Sequence, residues 1–148
     1  MATVYSYYVL DLVHIGHLNM LKNAKAMAGP SGTLVVGILT DEAVIERKPK
    51  PVLSFEERAE LARAIRYVDL VVPQETYSPL PNLIQIKPDI HMESSSHKEE
   101  DIESIRQFMA SIGGKVVVLP YWPQQSSTQI KNKIRTNCQN FLPSVEVR

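Results

Sequence analysis

At 148 residues the chain has the size of one domain, long enough to bury a core of its own. Sixteen basic residues balance sixteen acidic ones, which excludes a global field for nucleic acid or membrane surfaces, so a highly charged ligand needs positive charge gathered locally. The lone Cys138 excludes an internal disulfide, and the amino terminus has no basic n-region or long apolar run, so a cytoplasmic protein is expected.

Val4 to Leu10 is β-branched and aromatic and predicts a first strand. A helical period carried by Leu18, Leu21, Ala24, Lys25 and Ala28 follows and closes at Gly29-Pro30. The continuous apolar run Thr33 to Leu39 predicts a strand buried on both faces, and Thr40-Asp41-Glu42 caps a short helical piece. Two prolines keep Arg47 to Pro51 irregular. Ser54-Phe55-Glu56-Glu57 is a capping box that opens a helix through Ile65. Val68 to Val72 predicts a third buried strand, Leu80 to Ile86 a short helix and Asp89 to Met92 a short strand. An amphipathic helix over Glu99 to Ile112 stops at Gly113-Gly114; a last strand (Lys115 to Leu119) and a last helix (Ser126 to Arg135) complete the pattern. One domain over residues 1–136 is expected, with 137–148 as an aperiodic tail.

Strands alternating with helices predict an α/β fold: a Rossmann-like, doubly wound, parallel five-stranded sheet with helices on both faces. Ligands in such folds bind at the carboxyl ends of the strands. Polar residues gather on that rim, at Asp11 to His17, Thr40 to Pro51, Pro73 to Thr76, Glu93 to His97 and Pro120 to Ser127.

Neither G-x-x-x-x-G-K-[ST] nor G-x-G-x-x-G is present, which argues against the usual mononucleotide and dinucleotide loops. A helix amino terminus at about Gly16 instead offers free N–H groups and a favourable dipole to an anion. Gly16 lets backbone approach closely, and His14 and His17, one turn apart, can donate to the same phosphate as its charge builds. Two imidazoles without nearby Cys or acidic ligands make a poor zinc site, so no metal ligands are assigned.

The letters HIGH at His14 to His17 resemble the H-x-G-H signature of the nucleotidylyltransferase superfamily, and Gln125 to Lys131 is similar to the I-S-T-T-x-I-K motif of cytidylyltransferases. Val36 to Glu42 resembles that family's V-G-V-x-T-D-E strand, and Glu56-Glu57-Arg58 with Ile65 to Asp69 its E-E-R and I-R-Y-V-D segments. Val71 to Asn82 with Lys87-Pro88-Asp89 is especially similar to cytidylyltransferase domains of phosphonate biosynthesis.

The resemblance implies transfer of CMP from CTP, with Mg²⁺, to a small phosphorylated or phosphonate acceptor, and release of pyrophosphate. Glycerol 3-phosphate, phosphoethanolamine, phosphocholine and alkylphosphonates are the acceptors it offers, and the Val71 to Asn82 similarity favours a phosphonate. It implies that His14 and His17 stabilise the transition state with Lys48. Val9, Leu10, Asp11, Gly16, Ser126, Ser127 and Thr128 would bind nucleotide, and Lys50, Arg66 and His97 the acceptor. It also implies a homodimer, with no nucleic-acid or membrane partner.

Other readings stand beside these. His14 is a capping or core histidine; Ser126 to Thr128 cap the last helix; Lys48 and Lys50 lie on a solvated loop; His97 is a surface residue; Trp122 packs or walls a pocket; Arg66 pairs with Asp69. The chain has Tyr8 where the family has glycine, Glu93-Ser94-Ser95-Ser96-His97 where it has G-D-D or H-G-D, and Trp122 to Gln125 where it has R-T-x-G. An FMN adenylyltransferase and a non-catalytic nucleotide-sensing domain of the same fold are the alternatives.

Overall fold

The computed structural model describes residues 2–120 and 126–141, with the side chains of 140 and 141 excepted. In chain order the elements are β1 (Thr3–Tyr8), α1 (Ile15–Ala28), β2 (Thr33–Leu39), α2 (Asp41–Ile45), α3 (Phe55–Ala64), β3 (Leu70–Gln74), α4 (Leu80–Ile86), β4 (Ile90–Ser94), α5 (Glu99–Ser111), β5 (Lys115–Leu119) and α6 (Ser127–Phe141). All strand pairs are parallel, in the order β3-β2-β1-β4-β5. The fold is therefore a doubly wound, Rossmann-like α/β sheet, and its switch point is the β1/β4 crevice.

Alternation along β1 sorts the two faces. Val4 joins Leu21, Ala24, Val36 and Ala62 in the core beneath α1 and α3. Tyr5 joins Val35, Leu83, Ile105 and Met109 beneath α4 and α5. The same parity turns Tyr8 towards the first face and Tyr7 towards the second. β1 thus carries one tyrosine per face to the carboxyl edge of the sheet.

Four predicted elements shift. The first strand ends at Tyr8, two residues before Leu10, whose left-handed backbone leaves the sheet. The third strand runs from Leu70 to Gln74, two residues later than its apolar run, because Asp69 serves as its entry clamp. The Asp69 N–H donates to Leu34 O at 3.1 Å, and its carboxylate accepts from Leu34 N at 2.7 Å and from Lys25 Nζ at 2.6 Å. β3 is also an edge strand with Leu70 exposed, not a strand buried on both faces, and an edge tolerates Pro73. The fourth strand continues through Ser94, and α6 extends to Phe141, past the expected stop at Arg135. Trp122 to Gln125 and residues 142–148 lie outside the described residues.

Candidate active site

The chain leaves β1 through Leu10, whose φ of 59° is left-handed although its side chain is buried. That conformation costs an L-residue about 1–2 kcal/mol and turns residues 11–14 across the strand ends. His14 then caps α1: its Nδ1 accepts from Gly16 N at 3.0 Å, while His14 N donates to His17 Nδ1 at 3.3 Å. The H-x-G-H motif is a capping box built from two imidazoles. Gly16 does not leave its N–H free for a phosphate, since His14 takes it.

This arrangement fixes the tautomers. Each Nδ1 accepts a backbone proton, so each neutral ring carries its own proton on Nε2. The two rings lie 3.9 Å apart. Burial lowers the His14 pKa; burial, with His14 and Lys48 nearby, lowers His17 to about 3. Both are therefore neutral N–H donors at neutral pH. The Tyr8 ring meets His17 edge-on at 6.3 Å, so the residue replacing the family's glycine braces a histidine.

Asp11 holds the surrounding loops together. Its carboxylate accepts from Leu53 N at 2.9 Å and Val52 N at 3.1 Å and pairs with Lys131. Burial opposes its ionisation, but these bonds prevail and its pKa is lowered. Ser127 Oγ donates to Leu12 O at 3.1 Å, which docks α6 on the β1–α1 loop, and Ser126 Oγ caps α6 by accepting from Gln129 N. Two helix amino termini consequently converge on one place.

Arg58 braces this arrangement from beneath. Fully buried, it pairs with Asp41 at 2.7 Å and donates to Val9 O at 2.7 Å, Leu39 O at 2.8 Å and Leu53 O at 3.2 Å. One planar fork thus joins the ends of β1 and β2, the start of α2 and the loop before α3.

Over this frame opens a cleft of about 780 Å³. Val9, Leu10, Asp11, His14, Gly16 and His17 line it from the first motif, and Ser126, Ser127 and Thr128 from the last. Its cations are Lys48, Lys50, Lys131 and Arg135, against the acids Asp11 and Glu93. A chain without net charge has concentrated its positive charge here. The loop bearing Lys48 is anchored by Arg47, which pairs with Asp101 at 2.8 Å and lies 4.7 Å from the Tyr77 ring centre.

A second histidine group stands where β4 ends. Glu93, 1% exposed, accepts from His91 Nε2 at 2.8 Å, from Tyr7 Oη at 3.1 Å and from His97 Nδ1. Burial alone would raise the Glu93 pKa, but the bonds from His91 and His97 hold it down to about 2. Tyr5, His91, Tyr7 and His97 form a column of rings at 5.8, 5.8 and 5.4 Å spacing, running from the core to the cleft. His97 is therefore no loose surface residue but the end of a buried stack.

Of the residues singled out in the sequence, Arg66 alone stands elsewhere. It precedes β3, at the amino ends of the strands, exposed and 5.5 Å from the Tyr67 ring centre. From that rim it cannot reach the cleft, and Asp69, its expected partner, binds Lys25. Sequence reasoning missed Arg58, Glu93 and Arg135. Each had a signal without a role: Arg58 stood in the E-E-R segment, Glu93 opened a polar rim stretch, and Arg135 is one turn beyond Lys131 on the same helical face.

Paired imidazole donors, two helix amino termini and clustered cations at the carboxyl edge of a Rossmann-like sheet define a nucleotidylyltransferase site. A cytidylyltransferase-like family model matches residues 9–133, and the chain belongs to that family. It is similar to the FAD synthase of Pyrococcus abyssi, with 39% identity over 117 residues and 76% of each chain. It is also similar to the bifunctional protein HldE of Cronobacter sakazakii, 33% identical over 131 residues that make up 87% of this chain. The match spans only 27% of that HldE. A lipopolysaccharide core biosynthesis protein from Thermoplasma volcanium shares the fold, with TM-score 0.68, 22% identity and coverage of 83% of this chain and 98% of that one.

Proposed function

We propose that the protein transfers CMP from CTP to an oxygen of a small acceptor phosphate or phosphonate. The observation that carries this reading is the convergence of the His14 and His17 Nε2 donors with the α6 amino terminus on one cationic cleft. The acceptor oxygen attacks the α-phosphorus as the bond to the bridging oxygen breaks, and pyrophosphate leaves. His14 and His17 donate to oxygens that gain charge in the transition state, and Lys48 adds a positive charge from its loop. Ser126, Ser127 and Thr128 hold the β- and γ-phosphates, with Arg135 in the role left open by the missing R-T-x-G arginine. A phosphate or phosphonate acceptor is already anionic, so no general base is required.

Mg²⁺ would neutralise the triphosphate. The chain offers it no carboxylate cage: among the described residues no group of three His, Cys, Asp or Glu side chains is arranged to hold a metal ion, and Asp11 and Glu93 already accept from other groups. That suits an ion that keeps its waters and is held by substrate phosphates. A homodimer, and the reducing cytoplasm that exposed Cys138 fits, belong to the same reading.

Adenylyl transfer from ATP to FMN is the second reading, favoured by the similarity to the Pyrococcus abyssi FAD synthase. Pyrophosphate release with Mg²⁺, each nucleoside triphosphate, and a panel of glycerol 3-phosphate, phosphocholine, phosphoethanolamine, 2-aminoethylphosphonate, 2-hydroxyethylphosphonate and FMN decides between them. CTP with one small acceptor is expected. ATP with FMN would establish the second reading, and nucleotide binding without release would point to a non-catalytic domain.

A further inference from the structure

The two histidine groups of the cleft have opposite polarity. His14 and His17 accept at Nδ1 and so present Nε2–H, which suits phosphate oxygens. His97 is the reverse. Its Nδ1 faces the buried Glu93 carboxylate, which can only accept, so Nδ1 carries the proton and the neutral ring presents Nε2 as an acceptor. Tyr7 likewise donates its O–H to Glu93 and keeps its oxygen lone pairs.

These groups stand at the mouth of a side pocket of about 190 Å³ that continues from the cleft between Tyr77 and the first turns of α5. Tyr7, Tyr77, Glu93, Ser96 and His97 line both spaces. The volume is that of about six waters, enough for a two- or three-carbon end group. Among the described residues the single buried side-chain polar atom without a hydrogen-bond partner is His91 Nδ1, beside the same carboxylate. Burying such an atom unpaired is unfavourable. The fold carries that cost to hold His91 Nε2–H on Glu93, which in turn orients Tyr7 and His97.

We propose that this side pocket receives the non-reacting end of the acceptor, a compact hydrogen-bond-donating group such as an ammonium or hydroxyl, read by His97 with Glu93 as its positioning residue. The inference rests on the nucleotidylyl-transfer reading above. The acceptor's phosphate or phosphonate then lies towards His14, His17 and Lys48, and its donor end towards His97.

Three matched acceptors test this: 2-aminoethylphosphonate, 2-hydroxyethylphosphonate and ethylphosphonate, which has the same size at its core but no donor. In pyrophosphate release, ethylphosphonate is expected to lose at least tenfold in kcat/KM, and the other two report whether an amine or a hydroxyl is read. Glu93→Gln and His97→Ala should raise the acceptor KM about tenfold, erase the preference over ethylphosphonate, and leave the nucleotide KM within about twofold. Glu93→Asp, which keeps the carboxylate, should recover part of the preference. Equal use of all three phosphonates, or equal rises in both KM values, would overturn the proposal. If no acceptor supports release, the transfer reading fails, and the pocket is judged separately by imidazole ¹⁵N NMR of the whole protein. His97 protonated on Nδ1, with its resonances shifted by 2-aminoethylphosphonate or 2-hydroxyethylphosphonate but not by ethylphosphonate, supports the pocket assignment; His97 protonated on Nε2, or no shift with any of them, overturns it.

Discussion

His14 and His17 cap each other's helical turn: His14 N donates to His17 Nδ1 at 3.3 Å, and His14 Nδ1 accepts from Gly16 N at 3.0 Å. Capping thus occupies Nδ1 of both rings and leaves Nε2 for the proposed transfer chemistry. The backbone bonds orient the imidazoles before substrate arrives, which is how hydrogen-bond donors become effective against charge that develops only in the transition state.

His17→Ala is therefore expected to lower kcat by on the order of a hundredfold while nucleotide affinity changes far less. Steady-state kinetics with a direct nucleotide-binding measurement separates the two. Equal losses in both would mean that His17 serves ground-state binding.

His14 holds the cap as well as a donor, and two substitutions divide these roles. His14→Ala removes both and should cost about 1 kcal/mol of stability along with rate. His14→Asn keeps a good capping side chain, so stability should return towards wild type in urea unfolding while the rate does not. A recovered rate in the asparagine variant would reduce His14 to a cap.

Periodicity made the fold legible because the helices are amphipathic and capped: Thr40, Ser54 and Gly113-Gly114 mark ends that the structure reproduces. It misjudged β3 because an apolar run has the same letters on an edge strand as in a sheet centre. The His14, Gly16, His17 and Ser126 to Thr128 lining of the cleft was legible for a similar reason, since both are contiguous motifs. Arg58 and Glu93 were not. Arg58 could be matched to the E-E-R segment, but its bracing role depends on carbonyls at Val9 and Leu39, 49 and 19 residues away. Glu93 gains its meaning from Tyr7, 86 residues distant, and from the β1/β4 adjacency that sequence order does not give.

Lys48→Ala is expected to lose more rate than Lys50→Ala. The Lys48 N–H is fixed on Val44 O at 2.9 Å at the end of α2, its Nζ lies 5.9 Å from the Tyr77 ring centre, and its charge is felt at His17. Lys50 lies between the two prolines and has no comparable anchor among the contacts above. Kinetics of the two variants at matched nucleotide saturation tests this; the reverse order would assign the phosphate contact to Lys50.

Stability should fall as pH drops below about 6.5. The folded pKa of His17 is lowered to about 3, so the unfolded chain takes up its proton first, and stability present above the unfolded value is lost progressively below it. Glu93, held down to about 2, has the same sign: its contribution is present above the unfolded carboxylate value near 4.5 and is lost as pH falls towards 2. The two windows are offset, so His17→Asn should flatten the profile between about pH 6.5 and 4.5 and leave the steeper acid limb. Urea midpoints across that range decide it. An unchanged upper limb would place the titration elsewhere.

Arg58 is the most structurally demanding side chain of the site. Replacing it with methionine of similar length would strand the carbonyls of Val9, Leu39 and Leu53 and leave the Asp41 carboxylate without its partner. Breaking a buried pair from one side costs about 3–5 kcal/mol, whereas replacing both partners costs far less. Arg58→Met should therefore lose on that order in urea unfolding, with the m-value unchanged, and Arg58→Met combined with Asp41→Asn should lose less than the single variant. Arg58→Lys restores a charge but not the planar fork, so it should recover only part of the loss. The exposed pair Arg63–Glu60 is the internal control, since Arg63→Ala should fall within about 0.5 kcal/mol of wild type. A loss below about 1 kcal/mol for Arg58→Met would mean that water replaces the guanidinium, and that the ends of β1 and β2 are held by the sheet alone.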